Sequence, residues 1–313
     1  MRYAFVTAAL AASVSGHGVI TAIQGANNVT MPGLSIADGT PRDCSTNGCG
    51  SQADTSIIRD RDVNSGKASP LGRTQGNGPV DAANIIRTFM GNGNNAPTNQ
   101  GSSGSSGQED DLSGLNRAAG GRGGNRDTAR KRGIADLFKG VLGGGDGKTG
   151  LAGLAGGGGS KSNFKSESIV ADTAGDGASS GLPTADDNGE ISMVFRQINQ
   201  DGAGPLTAAV DGTSGGTDAS AFQNAEVTQD VPGLGIQGLS LATNTEFPLK
   251  VKMPQGMTCD ASVGGANNVC VVRVRNGAAA GPFGGSAAFT QSNTARKRAI
   301  AYRLKKRMEI SRD

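Results

Sequence analysis

The chain has 313 residues, 52 of them glycine, and only 35% are hydrophobic. It holds no tryptophan, two tyrosines and nine phenylalanines, which argues against a flat aromatic platform for gripping crystalline polysaccharide. The formal charge is +3, but residues 296–313 carry eight Lys or Arg against Glu309 and Asp313, so the remainder is net −3. A mildly acidic body with a basic tail is not a nucleic-acid-binding domain with a uniform positive face.

Residues 1–16 read as a signal peptide. Met1-Arg2 is a basic start, residues 4–14 are an apolar run, and Val14-Ser15-Gly16 is a small-residue cleavage site. Cleavage after Gly16 predicts a secreted, extracellular protein. It would make His17, the single histidine, the first residue of the mature chain. No later run reaches about 18 apolar residues, so no membrane span is expected. Asn28-Val29-Thr30 is an N-glycosylation sequon, and it fits secretion.

Residues 17–96 form the first part of the predicted domain. Val19-Ile20 and the 29–36 region have the spacing of short strands broken by Gly and Pro. Residues 80–90 place Ala83, Ile86 and Met90 at helical spacing and predict one helix. Cys44, Cys49, Cys259 and Cys270 are an even set in an exported chain, which predicts two disulfides. Four cysteines allow three pairings; the local ones, 44–49 and 259–270, are favoured because each closes a small loop. Their spacings fit no common zinc pattern.

Residues 97–165 are rich in Gly, Ser, Asn and charge, and read as an insertion that cannot bury enough apolar surface to fold alone. Within it, Ile134, Leu137, Phe138, Val141 and Leu142 lie on one face of a short amphipathic helix. Residues 166–295 read as the second part of the domain. Residues 191–198, 206–210, 249–253 and 269–275 are strand-like, and the turn from Asn199 to Pro205 suggests a hairpin between the first two. Short strands between Gly/Pro turns predict a mostly β protein, an immunoglobulin-like β-sandwich. Thr128-Ala129-Arg130-Lys131-Arg132 recurs as Thr294-Ala295-Arg296-Lys297-Arg298. Both copies end in Lys-Arg, which marks Arg132 and Arg298 as dibasic processing sites and makes residues 296–313 a removable tail.

Familiar chemistry is scarce. A Ser/His/Asp triad would have to use His17, and Gly-x-Ser-x-Gly does not occur. Gly147-Lys148-Thr149 resembles the end of a P-loop, but Leu142 stands where the first glycine belongs. Asp186, Asp187 and Glu190 offer carboxylates for a glycosidase pair, although a solvated turn explains them as well.

Seven motifs in order look familiar together: His17-Gly18-Val19-Ile20, Thr40-Pro41-Arg42-Asp43, Asp54-Thr55-Ser56-Ile57-Ile58-Arg59-Asp60, Gly72-Arg73-Thr74, Asp201-Gly202-Ala203-Gly204-Pro205, Met257-Thr258-Cys259 and Ala280-Gly281-Pro282-Phe283-Gly284-Gly285. The chain resembles the fungal Egh-like, appressorium-associated secreted virulence proteins. That resemblance implies a role in host infection rather than a chemistry. The amino terminus also resembles that of lytic polysaccharide monooxygenases. There the terminal amine, its imidazole and a second histidine bind copper in a tetragonal arrangement. Here His17 supplies the amine and one imidazole, and a carboxylate such as Asp54, Asp60 or Asp62 would have to replace the second. Phe283 or Phe289 would take the axial place. The expected partner is a host-surface or cell-wall glycan. The expected role is non-catalytic, with a copper-binding, monooxygenase-like protein or a structural wall component as alternatives.

Overall fold

The computed structural model describes residues 17–45, 49–93, 96–99, 159–161, 164–233, 240, 242–278 and 280–310. The leader with Gly16, the apolar island at 134–142, Gly147-Lys148-Thr149 and the Arg132 site lie outside the described residues.

The protein is mostly β. Its strands are β1 (Gly18–Gln24), β2 (Thr30–Pro32), β3 (Ser56–Ile57), β4 (Arg73–Thr74), β5 (Gly78–Pro79), β6 (Ser160–Lys161), β7 (Thr184–Ala185), β8 (Glu190–Gln197), β9 (Thr207–Asp211), β10 (Phe222–Gln229), β11 (Thr245–Lys252), β12 (Ala261–Val263), β13 (Ala266–Arg275) and β14 (Phe283–Gln291). The helices are α1 (Asp60–Asn64), α2 (Ala82–Phe89), α3 (Ile169–Asp172), α4 (Gly177–Ser180) and α5 (Asn293–Ile310). The main strand order is β2-β1-β8-β11-β10-β9-β13-β14-β3-β4-β5, antiparallel along its length.

This sheet folds over itself. β10 pairs with β9 through residues 222–225 and with β11 through residues 226–229, so one strand serves two layers and turns the corner between them. The layers then close, because β1 packs against β14 at the far side. Gly285 permits that approach: a Cβ there would lie 2.8 Å from the Ile20 backbone nitrogen. Alternation sets the inner face. Ile191, Met193 and Phe195 on β8 stand opposite Val251, Leu249 and Phe247 on β11, and all six are buried. On β13, the adjacent Val271 and Val272 are both fully buried, so that strand is covered on both faces.

The expected hairpin between residues 191–198 and 206–210 does not form. β8 lies between β1 and β11, and β9 between β10 and β13, so residues 199–205 cross between layers. The helix expected at 80–90 forms as α2, started by the Asp81 side chain accepting from Ala83 N at 2.9 Å. Its buried apolar residues are Ala82, Ile85, Ile86 and Phe89; of the expected three, Ile86 is buried while Ala83 and Met90 are half-buried, because Phe89 fills the core where Met90 only flanks it. Both disulfides take the local pairing, Cys44–Cys49 and Cys259–Cys270.

The two ends of the insertion leave the body side by side. Thr98 bridges Asp38, and Asn99 N donates to Asp38 O at 2.8 Å. On the return, Gly39 N donates to Glu167 O and Glu167 N to Thr40 O, each at 2.8 Å. Residues 38–42 are thus held between the outgoing and incoming chain.

Candidate functional site

His17 directly precedes β1 and is fully buried. Its backbone N–H donates to Asn199 Oδ1, and its carbonyl accepts from Ile198 N at 2.9 Å. Its ring lies on Phe283, with centroids 4.6 Å apart and planes tilted by 38°. Gly202 backs onto it so closely that a Cβ would fall 2.1 Å from the His17 carbonyl oxygen.

Apart from Asn276, the residues around it come from the motifs singled out in the sequence. Arg59 Nε donates to Gly281 O at 2.9 Å, and its Nη2 donates to Ala280 O. Asn276 Nδ2 donates to the carbonyls of Asp201 and Ala203, while its Oδ1 accepts from Ala278 N and Phe283 N. Ile57 pairs with Phe283 on one side and with Arg73 on the other. The motifs at 17, 54–60, 72–74, 201–205 and 280–285 therefore meet in one region. Met257-Thr258-Cys259 sits elsewhere, where Thr258 Oγ1 accepts from Arg303 of α5.

Arg42 ties the 40–43 motif to this frame. It is fully buried, with Nη1 donating to Asp54 Oδ1 at 3.0 Å and Nε to Glu167 Oε2 at 2.9 Å. Burial works against its charge, but Asp54 and Glu167 outweigh that and hold the guanidinium protonated. Arg196, also buried, pairs with Glu246 at 3.2 Å and donates to the Arg42 carbonyl. Sequence reasoning missed this cluster. Arg42 and Asp54 each stood in a quoted motif, but their pairing with Glu167, across the insertion, has no sequence signal.

The donors around His17 do not fit the copper arrangement that the resemblance implies. No second histidine exists. The three candidate carboxylates are spent on arginines: Asp54 on Arg42, Asp60 on Arg275, and Asp62 on Arg73 at 3.5 Å. Among the described residues, no three His, Cys, Asp or Glu side chains gather to hold a metal.

A second feature is a polar cleft of about 410 Å³ on the outer face of β1, β8 and β11, lined by Gln24, Asn28, Thr30, Glu190, Ser192 and Lys250 among others. Asn28, the sequon residue, is exposed in the turn between β1 and β2 at φ 61°, so its side chain is accessible. Glu190 accepts from Lys250 Nζ at 2.8 Å and from Thr228 Oγ1 at 2.8 Å. These bonds hold its carboxyl below the usual range, the reverse of what a glycosidase acid needs. Asp186 Oδ1 is used on the backbone N–H groups of Asn188 and Glu190, at 2.8 and 2.7 Å, which makes it a turn residue. Arg298 lies inside α5 and pairs with Asp187 at 3.2 Å, so cutting there would first require unwinding the helix. Among the described residues, no helix is long and apolar enough to cross a membrane.

Comparison with known proteins follows the motif pattern. The family described as Egh16-like virulence factor matches residues 15–284. The appressoria-specific virulence factor GAS2 of Pyricularia oryzae is 51% identical over 302 residues, which covers 96% of this chain and 92% of the relative. The appressoria-specific virulence factor GAS1 of the same fungus is 36% identical over 155 residues, 48% of this chain and 58% of the relative. No solved structure matches the chain. With 270 residues under one family description and a relative matched almost end to end, the chain belongs to the Egh16-like virulence factor family.

Proposed function

We propose that this is a secreted virulence-associated protein that acts without catalysis at the host or cell-wall surface, where it contacts glycan. One observation carries the reading. The polar residues of the family-like motifs are spent on one another and on backbone, Arg42 on Asp54 and Arg59 on the 280–281 carbonyls, and Asn276, outside the motifs, is spent on four backbone groups, rather than on an open cavity. They build a scaffold. The polar cleft beside Asn28 supplies hydrogen-bonding groups and no aromatic platform, which suits a soluble, flexible glycan better than a crystalline one. Glycosylation at Asn28 would place a sugar at the rim of this cleft.

The test has two arms. Protein recovered from the culture medium should begin at His17, and its incubation with chitin, β-glucan and pectin should release neither hydrolysed nor oxidised oligosaccharide. Lys250→Ala and Ser192→Ala should weaken its retention on the glycan it does bind. Detection of cleaved or oxidised products would overturn the non-catalytic reading. Retention unaffected by either substitution would overturn the cleft. With so few donors at His17, copper affinity should match that of a short peptide beginning His-Gly, as read by calorimetric titration.

A further inference from the structure

Two asparagines stand side by side in the turn between β1 and β2, and their surroundings differ. Asn27 is committed: its Nδ2 donates to Leu182 O and its Oδ1 accepts from Thr184 N, each at 3.1 Å. Asn28, the sequon residue, is exposed, and its side-chain amide makes no hydrogen bond among the described residues. It also forms part of the wall of the polar cleft. A sugar attached to its Nδ2 therefore starts at the mouth of that cleft.

The sheet carries the path onward. Gln24 pairs with Thr30 of β2 on one side and with Ser192 of β8 on the other, and Ser192 pairs with Lys250 of β11. Residues paired directly across antiparallel strands share a face, so these four side chains form one row across four strands. At about 4.8 Å per strand the row is about 14 Å long. Its Gln24–Thr30 end is the pair next to the turn that holds Asn28. The side chains of Gln24, Thr30 and Ser192 make no hydrogen bond among the described residues, which leaves an amide and two hydroxyls to meet sugar hydroxyls. The cleft sets two carboxylates, Asp186 and Glu190, against Lys250, a balance that favours an uncharged occupant over an acidic one.

We propose that the cleft seats the chain's own N-glycan, attached at Asn28, with its first uncharged sugars laid along Gln24, Thr30 and Ser192 toward Lys250. The inference rests on the secreted, glycan-contacting reading and adds that the covalent glycan covers the cleft against any other. In the attachment step Asn28 Nδ2 loses a proton and bonds to the anomeric carbon of a lipid-diphosphate-linked oligosaccharide, and the bond from that carbon to the diphosphate oxygen breaks. So short a tether holds the sugars at an effective concentration of about 10 mM, enough to fill a site whose solvent-facing hydrogen bonds hold a free sugar only weakly.

The test uses the full chain secreted by a eukaryotic host. Peptide mass should show a glycan on Asn28. An endoglycosidase should release it from the native protein about tenfold more slowly than after urea denaturation. Gln24→Ala/Ser192→Ala should restore most of the lost rate without changing the melting temperature, since neither side chain is in the core. Asn28→Gly keeps the positive φ of 61° and removes the attachment point. This variant, and enzymatically deglycosylated wild type, should be retained on β-glucan about tenfold more strongly than the glycosylated protein. An unmodified Asn28, native release as fast as denatured, or release unchanged by the double variant would overturn the proposal. So would unglycosylated protein retained no better than glycosylated, and the glycan-contacting function would then stand without the seat. Slow native release that the double variant speeds, with no form retained on any glycan, would support the seat and overturn the glycan-contacting function instead.

Discussion

Arg42 is enclosed on every side, and its guanidinium is held between Asp54 and Glu167. Removing one partner of such a pair strands the other charge in a dry interior. Arg42→Met should therefore cost about 3–5 kcal/mol in urea unfolding, because it leaves both Asp54 and Glu167 buried without their cation. A single variant as stable as wild type would show that the cluster contributes nothing. Asp211 makes a different kind of anchor. Burial raises its pKa, but hydrogen bonds from Ser214, Thr213 and Gly216 outweigh this, and the carboxyl ends below its ordinary value of 3.8. A depressed carboxyl stabilises the fold at pH values above 3.8 and stops doing so as pH falls through the folded-state value. Asp211→Asn should cost about 1–3 kcal/mol at neutral pH, and the gap between the two melting curves should close on acidification.

The strands were the most legible elements. Alternation and runs of β-branched residues place β8, β11 and β13; β8 forms within one residue of the expected bounds, while β11 and β13 begin four and three residues earlier than expected. Their partners were not legible. Residues 199–205 carry every mark of a tight turn, yet they cross between layers, because pairing depends on contacts far away in sequence. The C-terminal segment was read by its charge as a tail. The spacing of Ile300, Leu304 and Met308 was the available signal for a helix, and the density of Lys and Arg obscured it. His17 is legible from the leader, and of Phe283 and Phe289, the two offered for the axial place, Phe283 is the one whose ring lies on it. The burial of His17 was not readable, since it depends on Gly202 closing over the carbonyl. Close packing between elements can be tested at the other glycine contact. Gly285→Ala would push a methyl group against Ile20 where β1 crosses β14, and should cost about 1–3 kcal/mol by chemical unfolding.

At the scale of the molecule, the chain on both sides of residues 100–158 is fixed to one short stretch of the body. Residues 98–99 and 165–167 are both hydrogen-bonded to residues 38–42, so the fold closes at the base of the insertion. Replacing residues 100–158 with a short Gly/Ser linker should leave the far-ultraviolet spectrum of the body intact. It should raise unfolding free energy by about 1 kcal/mol, the entropy saved by closing a shorter loop. A collapse of the remaining domain would mean that the insertion carries part of the core.

The shared strand β10 has a thermal consequence. Its first half hydrogen-bonds to one layer and its second half to the other, so neither layer can lose its edge without exposing the neighbour's backbone. Melting of either layer removes the strand that terminates the other. The body should therefore unfold in one calorimetric transition, with the van't Hoff and calorimetric enthalpies in agreement, although its hydrogen-bonded strands form two faces.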